Sequence, residues 1–234
     1  MRIPFFLLLV FLAVPEAFGQ KFDWSEKVNR RWVSVAAGPS FMYATTGGNF
    51  SNAQVALQPA FSLGLEQELN RHFSVQATTG VQFLSSLPFS AQSETRLANW
   101  AEAETAFQMS GQALFIDVAP RAYLFSRSPF YGGNRFNVYA AAGVGGMVVN
   151  RLVQIQQGET PAENTLQRRE TSVHMYFPVR TGAYFRLSEK DRIGVEGSLF
   201  ISLSDALDGN TSANRFQNML GQFQIVYKRQ LFID

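Results

Sequence analysis

The sequence predicts an all-β chain, an eight-stranded antiparallel up-and-down transmembrane barrel over residues 32–234. Three observations predict it. Eight stretches alternate apolar with polar residues at a period of two, the pattern of an extended strand with one greasy face. The apolar sets carry no charge through the middle of any stretch. The connections alternate between short and long, the plan of an outer-membrane barrel with an even strand number.

The elements follow in order. MRIPFFLLLVFLAVPEAFG has a positive Arg2, an apolar run from Phe5 to Val14, and Ala17-Phe18-Gly19 as a small-x-small pattern before Gln20. This reads as a secretory signal peptide over 1–19, cleaved near Gly19 and too short for a membrane span. No cysteine follows it, so lipoprotein anchoring, disulfides and thiolate chemistry are not expected. Residues 20–31 are expected to form a short periplasmic segment. A net charge of +2 gives no argument for a nucleic-acid partner. No later stretch is apolar for long enough to make a membrane helix.

The strands are predicted at 32–43, 55–69, 73–87, 110–126, 136–149, 171–188, 193–204 and 217–232. Short connections, NRH, RSPFYGGNR and EKDR, fall at one end. The longer ones, including 151–170 as a polar loop, fall at the other. A secreted soluble β-sandwich has no reason to sort its loops in this way.

The faces then assign the solvent. In VALQPAFSLGLEQELNRHFSVQATTGVQF (residues 55–83), Leu57, Phe61, Leu63, Val75 and Val81 share one side. Gln58, Ser62, Gln76 and Gln82 share the other, which is small and mostly uncharged. Such residues suit a crowded wet interior better than open water, so the apolar side is expected to face hydrocarbon. A Lys or Arg on that face at mid-membrane would cost roughly 2–4 kcal/mol. Closure is required because an open strand edge has no hydrogen-bond partners in lipid. Phe73, Phe125, Phe136, Phe185 and Tyr227 cluster near the short-turn end, as an interfacial aromatic girdle would.

On strand count, loop asymmetry and the closing strand GQFQIVYKRQLFID, the chain resembles small eight-stranded outer-membrane barrels of the OmpA/OmpX type. It is most similar to the outer-membrane β-barrel proteins of Bacteroidota, the PorT-like group included. The resemblance implies a bacterial outer-membrane location, insertion by the barrel-assembly machinery and no catalytic residues or cofactors. The chain ends in Ile233-Asp234 where that signal usually ends in an aromatic.

The inward charges are Glu66, Asp117, Arg121, Arg180, Arg186, Glu196 and Lys228. Counting up from the short turns places Asp117 and Arg180 at one depth, and Glu66, Arg121, Glu196 and Lys228 in a lower layer. A lumen of eight strands is just wide enough for side chains to fill it, so a paired network that plugs it is expected. A gated ion path or ligand-binding lumen is the competing reading.

Residues that could carry chemistry are few. The two histidines are His72, in a short turn, and His174, facing inward beside Ser172 and Tyr176. Ser172, His174 and Glu170 could be imagined as a nucleophile, base and orienting acid, but an i, i+2 pair on one face is common by chance. Metal-ligand spacing is absent, and GVGG at 143–146 sits on a strand with no following helix, unlike a phosphate loop. The expected partners are outer-membrane lipids, through Arg30, Arg31, Arg71, Arg127, Arg135, Lys190 and Arg192 on the short-turn side, and a protein as a second expectation. A protein would dock on the extracellular loops, where Trp100 and Phe107 either contact it or pack on the rim, or on the periplasmic rim. The expected role is structural or surface-interacting and non-enzymatic. The alternatives are an accessory subunit of an outer-membrane machine such as type IX secretion, a narrow pore or a lipid-modifying enzyme.

Overall fold

Eight long strands, each antiparallel to its neighbours, form a ring. The computed structural model describes residues 30–44, 48–49, 54–86, 106–125, 135–156, 165–204, 207 and 218–231. The expected signal peptide and nearly all of the segment 20–31 lie outside the described residues. The strands are β1 (Arg31–Tyr43), β2 (Gln58–Glu68), β3 (Phe73–Ser85), β4 (Ala106–Tyr123), β5 (Phe136–Ala142 and Val144–Gln156), β6 (Thr165–Arg186), β7 (Asp191–Ser202) and β8 (Met219–Leu231). A small pairing of Gly48–Asn49 with Gln54–Val55 lies in the first long connection. Each strand pairs with the next in sequence. β1 also pairs with β8, from Arg31 opposite Leu231 to Tyr43 opposite Met219, which closes the barrel and leaves no edge.

The two halves of β5 are one strand. The same register against β4 and β6 runs through both, and it places Gly143 opposite Pro178. The Gly143 N–H donates to the Pro178 carbonyl at 3.1 Å. Proline has no N–H to return the bond, so the ladder is interrupted there.

Local chemistry sets the short turns. Asn70 accepts the backbone N–H groups of His72 and Phe73 through its side-chain oxygen, both at 2.8 Å, an Asx turn between β2 and β3. Ser188 accepts the N–H groups of Lys190 and Asp191 at 3.1 and 3.0 Å between β6 and β7.

Three strands run further at the long-loop end than the sequence predicts. β4 begins at Ala106, and β5 and β6 continue to Gln156 and from Thr165. Residues 151–156 and 165–170, expected as loop, form a two-stranded ribbon instead. Its charges caused the misreading: Arg151 faces Glu170 across the ladder and donates to it from Nε at 3.1 Å and Nη2 at 2.8 Å.

The outer surface is apolar. Leu57, Phe61, Leu63, Leu65, Leu114, Ile116, Val118, Val173, Met175, Phe177, Val179, Val195, Phe223 and Ile225 are all exposed, Val173 at 76%. The phenylalanines Phe136 and Phe185 face each other at the short-turn end, both exposed, with Tyr227 at the same end. The belt ends above Val148 and Val173, where Thr171 hydrogen-bonds Asn150 at 2.7 Å and Arg169 is exposed.

The interior is not uniformly polar, which corrects the expectation of a hydrophilic lumen. Its long-loop half is an apolar cluster of Met42, Leu84, Met109, Phe115, Met147, Val149, Val153, Ile155, Tyr176, Phe200, Leu207 and Leu220, among others. The polar network fills the half nearer the short turns.

Candidate functional site

The polar half of the lumen is built from alternate residues of six strands. β2 supplies Glu66, β4 supplies Asp117, Arg121 and Tyr123, and β5 supplies Tyr139. β6 contributes Tyr176, Arg180 and Tyr184, β7 contributes Glu196, and β8 contributes Lys228. Parity alone turns these side chains inward, since successive strand residues point to opposite faces.

The deepest contacts from the apolar cluster downward begin with Asp117. Arg180 donates to both its carboxylate oxygens, at 2.6 and 2.7 Å, and Tyr176 adds its hydroxyl at 2.6 Å. The Nε of Arg180 also lies 3.5 Å from Glu196. Glu196 in turn accepts Arg121 at 2.6 Å, the Ser198 hydroxyl at 3.2 Å and the Tyr139 hydroxyl. Arg121 continues to the Tyr184 hydroxyl at 2.6 Å and to Glu66 at 3.6 Å. Glu66 receives the Lys228 ammonium and the Tyr123 hydroxyl, the latter at 2.8 Å.

Six predicted charges therefore form one continuous chain, Asp117–Arg180–Glu196–Arg121–Glu66–Lys228. It holds three carboxylates and three cations, so its formal charge is balanced. All six are at most 5% exposed. The seventh, Arg186, sits at the short-turn end opposite Arg192 in the register and is half-buried, one layer below the chain. Of the suggested loop contacts, Trp100 lies outside the described residues, and only the backbone of Phe107 is described, in β4.

The sequence places these tyrosines and glycines inward by parity, but does not show that they join the charges in one network. Tyr139 and Tyr184 stack with centroids 4.9 Å apart, and Arg121 lies over the Tyr139 ring at 4.4 Å. Gly182 faces this stack: a Cβ there would come within 2.6 Å of Tyr139 Cζ. Gly145 does the same for the upper pair, since a Cβ would lie 2.6 Å from Tyr176 Cζ and 2.5 Å from Asp117 Cβ. Inward glycines opposite inward tyrosines are the sequence signal for such packing.

A second seal lies below. Trp32 is fully buried, donates its indole N–H to Glu68 at 2.9 Å, and carries the Arg192 guanidinium over its ring at 3.9 Å.

At the opposite mouth, Arg151 gathers several acceptors. Besides Glu170, it donates to the Ser172 hydroxyl at 2.9 Å and to the Leu207 carbonyl at 3.0 Å. Leu207 itself is fully buried in the apolar cluster. This group stands above the apolar belt. Partial burial pushes the Glu170 carboxyl up, but hydrogen bonds from Arg151 and Arg168 outweigh it and hold the group below the usual glutamate range. Ser172 and His174 Nε2 are hydrogen-bonded at 2.7 Å. The other ring nitrogen, Nδ1, is buried with no partner, and Glu170 is turned to arginines. The three residues do not line up as nucleophile, base and orienting acid. Among the described residues no three His, Asp or Glu side chains converge as a metal site.

No protein-family model matches the chain, and no curated protein matches it significantly. Among solved structures it is similar to a major outer membrane protein from Thermus thermophilus, with 13% identity, a TM-score of 0.50, and 86% of this chain and 99% of that chain covered. It is also similar to Neisserial surface protein A, at 8% identity and TM-score 0.47, covering 86% of this chain and 97% of that one. A third is Ail, the attachment invasion locus protein of Yersinia pestis, at 10% identity and TM-score 0.46, covering 87% and 99%. At such identities the likeness concerns the fold alone, and that fold is a small closed antiparallel barrel.

Proposed function

We propose that the protein is an integral barrel of the bacterial outer membrane with an occluded lumen, acting as a structural or surface-interaction protein and not as an enzyme. The observation that carries this reading is the inversion of the barrel: large apolar side chains cover the outside while the charges are paired within. In water, so continuous an apolar surface would drive association. In lipid it is the solvated face.

The expected export signal supports the compartment, because closed β-barrels are the strand-built solution to crossing a bilayer. Occlusion is supported by three stacked features, the Trp32–Arg192 seal, the charge chain and the apolar cluster. The surface role is supported by the β5–β6 ribbon, which carries Arg168 and Arg169 clear of the belt.

The test is extraction and reconstitution. The full chain should require detergent or lipid to fold and should produce no steady ionic conductance in a planar bilayer. Folding in water, or a steady ohmic pore, would overturn the reading.

A further inference from the structure

The outer wall carries a groove of about 550 Å³ across β1–β4, bordered by Val35, Ala37, Phe61, Leu63, Thr79 and Leu114. It exists because two outward positions are small. Ala37 lies opposite Phe61 and Thr79 opposite Leu63 in the ladders, so larger neighbours stand above a low floor. We propose that this groove holds one acyl chain of a bound glycerophospholipid whose phosphate is received by Arg31. The inference rests on the membrane-barrel reading and adds a specific ligand site to it.

Two observations select that occupant. First, the groove offers nothing to a polar ligand. The Thr79 hydroxyl already donates to the Phe115 carbonyl at 3.0 Å, and the Ser62 side chain points away from the groove into the lumen, where it donates to Gln224 at 2.9 Å. What remains is carbon surface, which a hydrocarbon chain fills by dispersion and exclusion of other lipid.

Second, the same strands carry one cation on their outward face at the short-turn end. Arg31 is exposed and donates from Nε to Gln67 at 2.9 Å, which fixes the guanidinium against β2. Its remaining donors suit the forked geometry of a phosphate. Arg31 and Val35 are four residues apart on β1, about 13 Å along the strand. That is within the length of an ordinary acyl chain, so one molecule spans from the arginine to the groove. A second copy of this chain would have to present a ridge to the same low floor, and the outward carboxylate at this end of the barrel, Asp191, already accepts the Tyr227 hydroxyl and lies 3.9 Å from Arg229.

Native mass spectrometry of the full chain in detergent tests this, with phosphatidylglycerol and diacylglycerol as the probes. The wild type is expected to retain one phosphatidylglycerol in preference to diacylglycerol. Ala37→Phe and Thr79→Phe, which fill the groove from different strands, should each reduce retention of both lipids several-fold. Arg31→Gln should abolish the preference while leaving diacylglycerol retention unchanged. Both apolar substitutions face lipid, and a strand-rich circular dichroism spectrum checks that at least one of them folds.

Equal retention in the filled variants would overturn the proposal, as would a protein dimer that dissociates when the groove is filled. Detergent-dependent folding with no retained lipid would sink this site alone. Folding without detergent would sink the membrane reading with it.

Discussion

Arg180 grips Asp117 with both terminal nitrogens, 2.6 Å from Nη1 to Oδ1 and 2.7 Å from Nη2 to Oδ2, at the boundary between the apolar and polar halves of the lumen. Removing one member leaves a desolvated charge without its counterion, which typically costs about 3–5 kcal/mol. Asp117→Ala should therefore lower the urea midpoint of the detergent-folded barrel strongly. The double variant Asp117→Leu with Arg180→Met should be less destabilised than Asp117→Ala, because no charge is stranded. A double variant worse than the single one would show that the pair is net stabilising in its own right.

Arg121 joins two carboxylates, Glu196 at 2.6 Å and Glu66 at 3.6 Å, and its loss breaks the chain at its centre. Arg121→Ala should lower the unfolding temperature in detergent without raising bilayer conductance. The stacked Tyr139 and Tyr184 rings and the Trp32–Arg192 layer still obstruct the lumen in this variant. A clear rise in conductance would mean that the arginine alone closes a path.

The mouth group is expected to respond to acid in one direction. Glu170 has a lowered folded-state pKa, so its ties to Arg151 and Arg168 contribute stability above the ordinary glutamate value and lose it as pH falls through the lower folded-state value. Glu170→Gln should melt below the wild type at neutral pH, and the two curves should converge in acid. Differential scanning calorimetry across pH reads this directly, and a difference that grows on acidification would reverse the sign argued here.

His174 shares a 2.7 Å hydrogen bond with Ser172, but its Nδ1 meets no carboxylate. Without an orienting acid the pair lacks the third member that a hydrolytic nucleophile needs. Purified protein incubated with lipid A should release no fatty acid, and His174→Ala should behave identically. Release that disappears in the variant would make the protein an enzyme.

The ladder of strands could be read from the sequence because a period of two maps each residue to a face without any knowledge of partners. The same parity places Asp117, Arg121, Arg180 and Glu196 inside. Which of them meet could be read only coarsely, since pairing depends on the stagger between strands and on the length of each side chain. The apolar half of the lumen was hidden by parity itself. Met42, Leu84, Met109 and Met147 occupy the same inward positions as the polar residues, and alternation says nothing about how an interior changes along its axis. The continuation of β5 and β6 was obscured for a different reason. Arg151, Arg168 and Glu170 look like loop residues one at a time, and become strand residues only when Arg151 and Glu170 face each other across a ladder.

From Val173 to Leu166 the β6 arm rises about 23 Å along its own direction, braced throughout by hydrogen bonds to β5. A peptide grafted between Gln156 and Thr165 would thus be presented at the tip of a paired arm, with its two ends held at the spacing of neighbouring strands. The molecule is in that respect a ready-made scaffold for displaying hairpin epitopes, and the paired arginine and glutamate at the foot of the arm are the residues an engineer should leave untouched.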